Sequence, residues 1–173
     1  MTTTRMFKPE DLLRFNNTNL DILTETYNLS FYYTYFSRWS EMCYVEEHPN
    51  GRIMGYMMGK VEGEGTLWHG HVTAVTVAPE FRRRGLAKKL MRALEDTSEN
   101  SCRAYFVDLF VRVSNTLAIG MYERLGYSVY RRVLGYYGGE EDAFDMRKAL
   151  SRDHLKSSIV PLPHPVLPQD LEW

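Results

Sequence analysis
The chain has 173 residues, 44% hydrophobic and 25% charged, with a formal net charge of -1. Those values fit one globular core and exclude a disordered or fibrous chain; the near-zero charge excludes bulk electrostatic attachment to nucleic acid or to an anionic membrane. The only two cysteines, Cys43 and Cys102, have no disulfide-framework or metal-ligand spacing, so both read as reduced thiols and no metal is expected.

The opening Met1-Thr-Thr-Thr-Arg5 lacks the pattern of a secretory leader, and no apolar run approaches the ~20 residues of a membrane span, so the cytoplasm is the expected compartment. Residues 2–7 form an edge strand. Pro9 opens a short helix with Glu10 and Asp11 near its positive end. Residues 21–27 read as a loop. Phe31, Tyr32, Tyr35, Phe36 and Trp39 then give a helix with a wide aromatic stripe, which faces either the core or a partner. Strands over 42–46 and 52–62 flank the hairpin signal Asn50-Gly51. A strand over 67–77 places His69, His71, Thr73, Val75 and Val77 on one face.

Residues 105–111 are nearly continuously apolar, as in a strand buried on both faces, with Asp108 the exception. Ser114 is the expected N-cap of a helix over 115–124 whose Ala118, Met121, Tyr122 and Leu125 face the core, and Gly126 ends it. A strand over 127–134, a loop over 136–142 and a strand over 144–150 complete a domain of residues 1–150. Beyond Ser151, Pro161, Pro163, Pro165 and Pro168 favour an extended tail, 151–173. Ile159, Val160, Leu162, Val166, Leu167 and Trp173 make it sticky, for its own domain or for a partner. The element order is that of a mixed α/β sheet protein.

The chain is organised around Val75-Thr-Val-Ala-Pro-Glu-Phe-Arg-Arg-Arg-Gly-Leu-Ala-Lys-Lys-Leu90. Pro79 ends the strand, Arg82, Arg83 and Arg84 lead into Gly85, and Leu86, Leu90 and Leu94 recur on one face of a helix. Small residues Gly85 and Ala87 leave the first amides of that helix open to an anion, and the arginines add charge. The alternative is a plain turn with a solvated basic face. Neither G-x-x-x-x-G-K-[ST] nor G-x-G-x-x-G occurs.

Arg82-x-x-Gly85-x-Ala87 resembles the acetyl-CoA diphosphate loop of the GNAT acetyltransferase superfamily. Asn115-x-x-Ala118-x-x-x-Tyr122-x-x-x-Gly126-Tyr127 resembles its second motif. The resemblance implies the GNAT fold: a mixed central sheet, flanked by helices, with acetyl-CoA wedged between two splayed parallel strands. Further runs narrow it. Arg14-Phe-Asn-Asn, Leu20-Asp-x-Leu-Thr-Glu-Thr-Tyr27, Trp68-His-Gly-His-Val-Thr-Ala74, Asp108-Leu-Phe-Val-Arg-Val-Ser-Asn115 and Ser158-Ile-Val-Pro-Leu-Pro-His-Pro165 together are similar to the catalytic subunits of NatB N-terminal acetyltransferase complexes. The turn Glu62-Gly-Glu-Gly65 is shorter than that family's.

This resemblance implies acetylation of α-amines on nascent N-termini beginning Met-Asp, Met-Glu, Met-Asn or Met-Gln. The implied partner is a helical-repeat (TPR-like) auxiliary subunit that links the enzyme to the ribosome. Cofactor contacts are implied for Val75, Val77, Arg82, Arg83, Arg84, Gly85, Leu86, Ala87, Asn115 and Tyr122. Tyr122 would hydrogen-bond the sulfur, Asn115 would orient pantetheine or the substrate backbone, and a backbone N–H near Val75 would meet the thioester oxygen. Glu25, Tyr27, His71, Thr73, Tyr136 and Tyr137 are implied for the peptide. His71 is the chosen proton acceptor, with a hydrogen-bonded sheet histidine as the alternative; a core tyrosine is the alternative for Tyr122. Two other readings stand beside this one: a GNAT enzyme for a small amine, lysine or other N-termini, and a non-catalytic acyl-CoA-binding module.

Overall fold
In a computed structural model, described over residues 2–171, the strands are β1 (Thr3–Met6), β2 (Cys43–Glu47), β3 (Ile53–Glu62), β4 (His69–Val77), β5 (Phe106–Arg112), β6 (Ser128–Tyr137) and β7 (Glu141–Ala149), and the helices are α1 (Leu29–Arg38), α2 (Leu86–Asp96) and α3 (Thr116–Arg124). Trp173, expected in the tail, lies outside the described residues. The strands form one seven-stranded mixed sheet with a single parallel pair, in the order β1-β2-β3-β4-β5-β7-β6. Two compact units divide the chain, Met1–Lys60 with Val72–Thr97, and Val61–His71 with Ser98–Trp173.

In the first unit, β1 pairs antiparallel with β2, and β2 with β3. The strand alternation sends Val45, Ile53 and Tyr56 into an aromatic core with Phe7, Phe15, Tyr32 and Tyr35. The α1 stripe is therefore used on the unit's own core: Tyr32 and Tyr35 are buried, and Phe31, Phe36 and Trp39 pack partly against them. Asn28, just before α1, caps it by accepting from the Phe31 N–H at 2.9 Å. On α2, Leu86, Leu90, Met91 and Leu94 are buried, as their spacing requires. Neither cysteine is in a disulfide, and burial pushes the Cys43 thiol of this unit up to about 12, so it is inert.

In the second unit, β7 lies between β5 and β6, antiparallel to both. Three sequence expectations are corrected there. The N-cap of α3 is Asn115, which accepts from the Ala118 N–H at 3.2 Å. Ser114 instead bonds Glu141. Of the four side chains expected to face the core, only Tyr122 is buried, while Ala118, Met121 and Leu125 are half-buried. Tyr136 and Tyr137 are not in a loop but end β6, because Gly138 and Gly139, both at positive φ, make the turn in the space of three residues.

The tail runs along β6. The Leu162 N–H donates to the Tyr130 carbonyl at 2.8 Å, and the Val166 N–H to the Arg132 carbonyl at 3.0 Å; the Leu134 N–H returns a bond to the Val166 carbonyl at 2.9 Å. Asp153 folds the chain into this path by accepting from the backbone and hydroxyls of Ser157 and Ser158.

Candidate active site
The C-terminal end of β4 and the start of α2 build the first part of the site. Pro79 follows β4, and the Arg82 Nε–H donates to the Val77 carbonyl at 3.1 Å while its guanidinium pairs with Asp21 at 2.8 Å. Arg82 thus braces the turn. The Leu23 N–H and this guanidinium hold the Asp21 carboxyl below the usual range. Arg83 and Arg84 stay exposed, and Gly85 sits at the α2 N-cap with φ 79°, a left-handed conformation that favours glycine. No side chain caps α2. Its first amides and positive dipole end are therefore open to an anion, with the exposed Arg83 and Arg84 just before them. These residues fit a diphosphate. Val75 and Val77 are half-buried on β4, and Ala87 follows Leu86 in the first turn.

Thr73 on β4 is held from two sides. Its hydroxyl lies 2.6 Å from the Tyr35 hydroxyl, and the Tyr27 hydroxyl donates to its carbonyl at 3.4 Å. Tyr27 stacks on Phe31 with centroids 4.1 Å apart. Glu25 is exposed on the loop leading to Tyr27. Sequence reasoning missed Tyr35 as a site element because it reads as one more core aromatic of α1.

The second unit holds a buried acid–histidine cluster. Nδ1 of His71 lies 2.7 Å from Asp108, and Glu62 is 4.0 Å away. Nδ1 of His69 lies 2.5 Å from the Leu67 carbonyl, while Nε2 faces Glu62 at 3.7 Å and Asp108 at 3.6 Å. Burial alone would raise the Asp108 carboxyl, but His71 and His69 outweigh it and hold it low. Burial pulls His69 down, and Asp108 and Glu62 outweigh that and raise it. Donor atoms of Glu62, His69 and His71 lie within 4.8 Å of one another, a spread that a metal ion can span. The Nδ1 atoms are engaged, that of His71 by Asp108 and that of His69 by the Leu67 carbonyl, while the buried Nε2 of His69 faces the two carboxylates beyond hydrogen-bond distance. Asp108 was visible as the polar break in an apolar strand; Glu62, at the end of β3, gave no signal.

Phe110 continues from His71, tilted at 5.8 Å, and Tyr136 stacks on Phe110 at 4.7 Å with Tyr137 edge-on at 5.1 Å. Arg112 lies over the Tyr137 ring at 4.1 Å. So His71, Tyr136 and Tyr137 share one aromatic run. Tyr122, 8% exposed, is packed edge-on against Tyr127, and burial pushes its phenol up to about 12. It keeps its proton at physiological pH and so can donate a hydrogen bond. Oδ1 of Asn115 is taken by the cap, so its amide –NH₂ is what it can offer a ligand.

A mixed sheet with one parallel pair, an uncapped helix behind a basic turn, and a buried donor phenol define an acyl-CoA-using transferase, and the chain belongs to the acetyltransferase (GNAT) family, which it matches over residues 11–127. Within that family it stands with the N-terminal acetyltransferase B catalytic subunits. It is 64% identical to the N-terminal acetyltransferase B complex catalytic subunit of Arabidopsis thaliana, over 100% of this chain and 99% of the relative. Naa20 of Chaetomium thermophilum, solved with a bisubstrate analogue, superposes with a TM-score of 0.91 at 44% identity, covering 96% of this chain and 97% of that one. A NatB acetyltransferase complex bound to a bisubstrate inhibitor contains a chain with a TM-score of 0.88 at 42% identity, covering 99% of each.

Proposed function
We propose that this chain is the catalytic subunit of a NatB-type complex, and that it transfers acetyl from acetyl-CoA to the α-amine of N-termini beginning Met-Asp, Met-Glu, Met-Asn or Met-Gln. The observation that carries this is the pair of polar side chains on one face of β4. His71 and Thr73 alternate there, each fixed by a partner at hydrogen-bond distance, Asp108 at 2.7 Å and Tyr35 at 2.6 Å. Held in place, Thr73 can donate to an acidic or amide side chain at the second residue of a peptide, and His71 can do so when its ring is charged. Tyr136 and Tyr137 offer flat walls for the initiating methionine, and Tyr27 and Glu25 serve the first residues of the chain.

In the reaction the amine nitrogen forms the new bond to the acetyl carbon, the carbon–sulfur bond breaks, and the amine gives up one proton. The coenzyme supplies the activated acetyl thioester. An α-amine has a pKa of about 7.7–8.0, so about a tenth is neutral at pH 7 and only a weak acceptor is needed. His71 fills that role. Tyr122 would meet a leaving thiolate whose ordinary pKa is about 8.5. A phenol raised to about 12 stabilises that thiolate by donating a hydrogen bond, since full transfer of its proton would be uphill by about 5 kcal/mol. Asn115 orients the pantetheine or the peptide backbone, and the first amides of α2 hold the diphosphate.

Docking of an auxiliary subunit fits the exposed apolar side chains of the first unit: Leu13 is 86% exposed, Leu20 74% and Ile22 97%. Such a subunit, helical-repeat in architecture and ribosome-bound, would place the enzyme on nascent chains in the cytoplasm. Presenting acetyl-CoA with Met-Asp, Met-Leu and Ser-Ala peptides and an internal lysine, with and without the auxiliary subunit, tests the proposal. Selective turnover of Met-Asp supports it. Turnover of lysine alone, or no turnover with the auxiliary subunit present, refutes it.

A further inference from the structure
We infer that Asp108, backed by His69 and Glu62, is a positioning residue that fixes which ring nitrogen of His71 is presented to the substrate; this rests on the role of His71 given above. An ionised carboxylate only accepts hydrogen bonds, so at 2.7 Å from Asp108 the Nδ1 of His71 must carry the proton. In the neutral ring Nε2 is then bare and can take the proton that the amine gives up. In the charged ring Nε2 carries a hydrogen and donates to an acidic side chain. One residue can thus serve as acceptor in one state and reader in the other, with no ring flip.

Asp108 has to stay an anion for this to hold. It is 1% exposed, on a strand otherwise apolar from Phe106 to Val111, and charge around it is arranged to keep it ionised. His69 lies flat on Phe106, centroids 4.7 Å apart and planes 6° apart, with Nδ1 on the Leu67 carbonyl. That bond makes Nδ1 a donor. A neutral His69 would turn its bare Nε2 toward the carboxylates of Glu62 and Asp108 at 3.7 and 3.6 Å; a charged one turns an N–H toward both. The groups facing His71 include Glu62 from β3, Asp108 from β5 and, beyond Phe110, Tyr136 from β6. Behind Asp108 lie Asp145 and Arg147 of β7, with Arg131 on Asp145 at 2.8 Å. Burial and Asp108 raise the Asp145 carboxyl against the pull of Arg147 and Arg131, while Arg147 also favours the anion of Asp108.

The test uses the full chain with its auxiliary subunit. Nitrogen-15 NMR of histidine-labelled wild-type protein, with His71 assigned by His71→Gln, should show neutral His71 protonated on Nδ1; protonation on Nε2 overturns the inference, and this measurement needs no Asp108 variant to fold. Asp108→Asn places an amide opposite Nδ1 and should move the neutral proton to Nε2. It should lower kcat on a Met-Asp peptide about tenfold while KM for acetyl-CoA stays within twofold, the pattern of a weakened proton acceptor. A loss that falls as strongly on KM for acetyl-CoA indicates a structural role only and overturns the inference, as does full additivity of Asp108→Asn with His71→Gln. Undiminished turnover by His71→Gln alone refutes the acceptor role of His71, while the tautomer measurement still decides what Asp108 does to the ring.

Discussion
The hydroxyls of Tyr35 and Thr73 lie 2.6 Å apart, tying α1 to β4. Each fixes the other's rotor, so the threonine meets a ligand in one orientation. Thr73→Val should therefore lower kcat/KM for a Met-Asp peptide by about tenfold or more, the loss of one hydrogen bond to a charged group. It should change a peptide with an apolar second residue far less. Tyr35→Phe keeps the threonine but frees it, and should cause a smaller loss with the same selectivity. Parallel kinetics on the two peptides check this; equal losses on both would remove Thr73 as a reader.

Tyr122→Phe removes a donor that matters most as negative charge builds on sulfur. It should lower kcat by one to two orders of magnitude while KM for either substrate moves less than threefold, in line with the loss of one transition-state donor. Because burial pushes this phenol up to about 12, wild-type kcat should show no falling limb from tyrosine ionisation below about pH 10. An unchanged kcat in Tyr122→Phe would dismiss the role.

Gly85→Ala tests the helix start without crowding it. Nothing lies within 4 Å of the added carbon, so the cost is purely conformational, about 1–2 kcal/mol at φ 79°. A turn that shifts to relieve this swings the first amides of α2 off their target. KM for acetyl-CoA should rise several-fold and KM for peptide should stay within twofold. Isothermal titration with the coenzyme separates this from general destabilisation, which a melting curve records.

Asp11 is 0% exposed and accepts from Arg5 at 2.7 and 2.8 Å, from Arg14 at 2.8 Å and from the Lys8 N–H at 3.0 Å. Burial raises its carboxyl, but the Arg5 contacts and the other donors outweigh this and hold it at about 2. Its folded value is below its unfolded one, so its contribution is complete above about pH 4 and disappears as pH falls toward 2. That contribution is at most about 2 kcal/mol. Thermal melts between pH 5 and pH 2 should show the loss in wild type and a shallower slope in Asp11→Asn.

The local parts of this site were legible in the chain: Val75, Val77 and Pro79 give a strand end, Gly85 a helix start, and Asn115 with Tyr122 a second motif. What was not legible depends on residues far apart in sequence. Asp108 stands out in an apolar run, yet nothing in the run says that His71 is its partner. Ser114 and Asn115 are both good caps, and only Glu141, drawing Ser114 away, decides between them. The tyrosine pair 136–137 read as part of a loop; in the fold Gly135 before it is a strand irregularity at φ 59° and β6 runs on. The route of the tail is set by backbone bonds to β6, which no side-chain pattern announces.

Those bonds have a consequence for how the molecule behaves when crowded. A strand at the rim of a sheet invites foreign backbone, and long rims seed fibres. Here Leu162 and Val166 bring the rim a ready-made guest from the same chain, and four prolines beside them deny the next comer any regular row of amides. Clipping the chain after Ser158 would leave Tyr130, Arg132 and Leu134 without these companions, turning a quiet margin into a template for self-assembly.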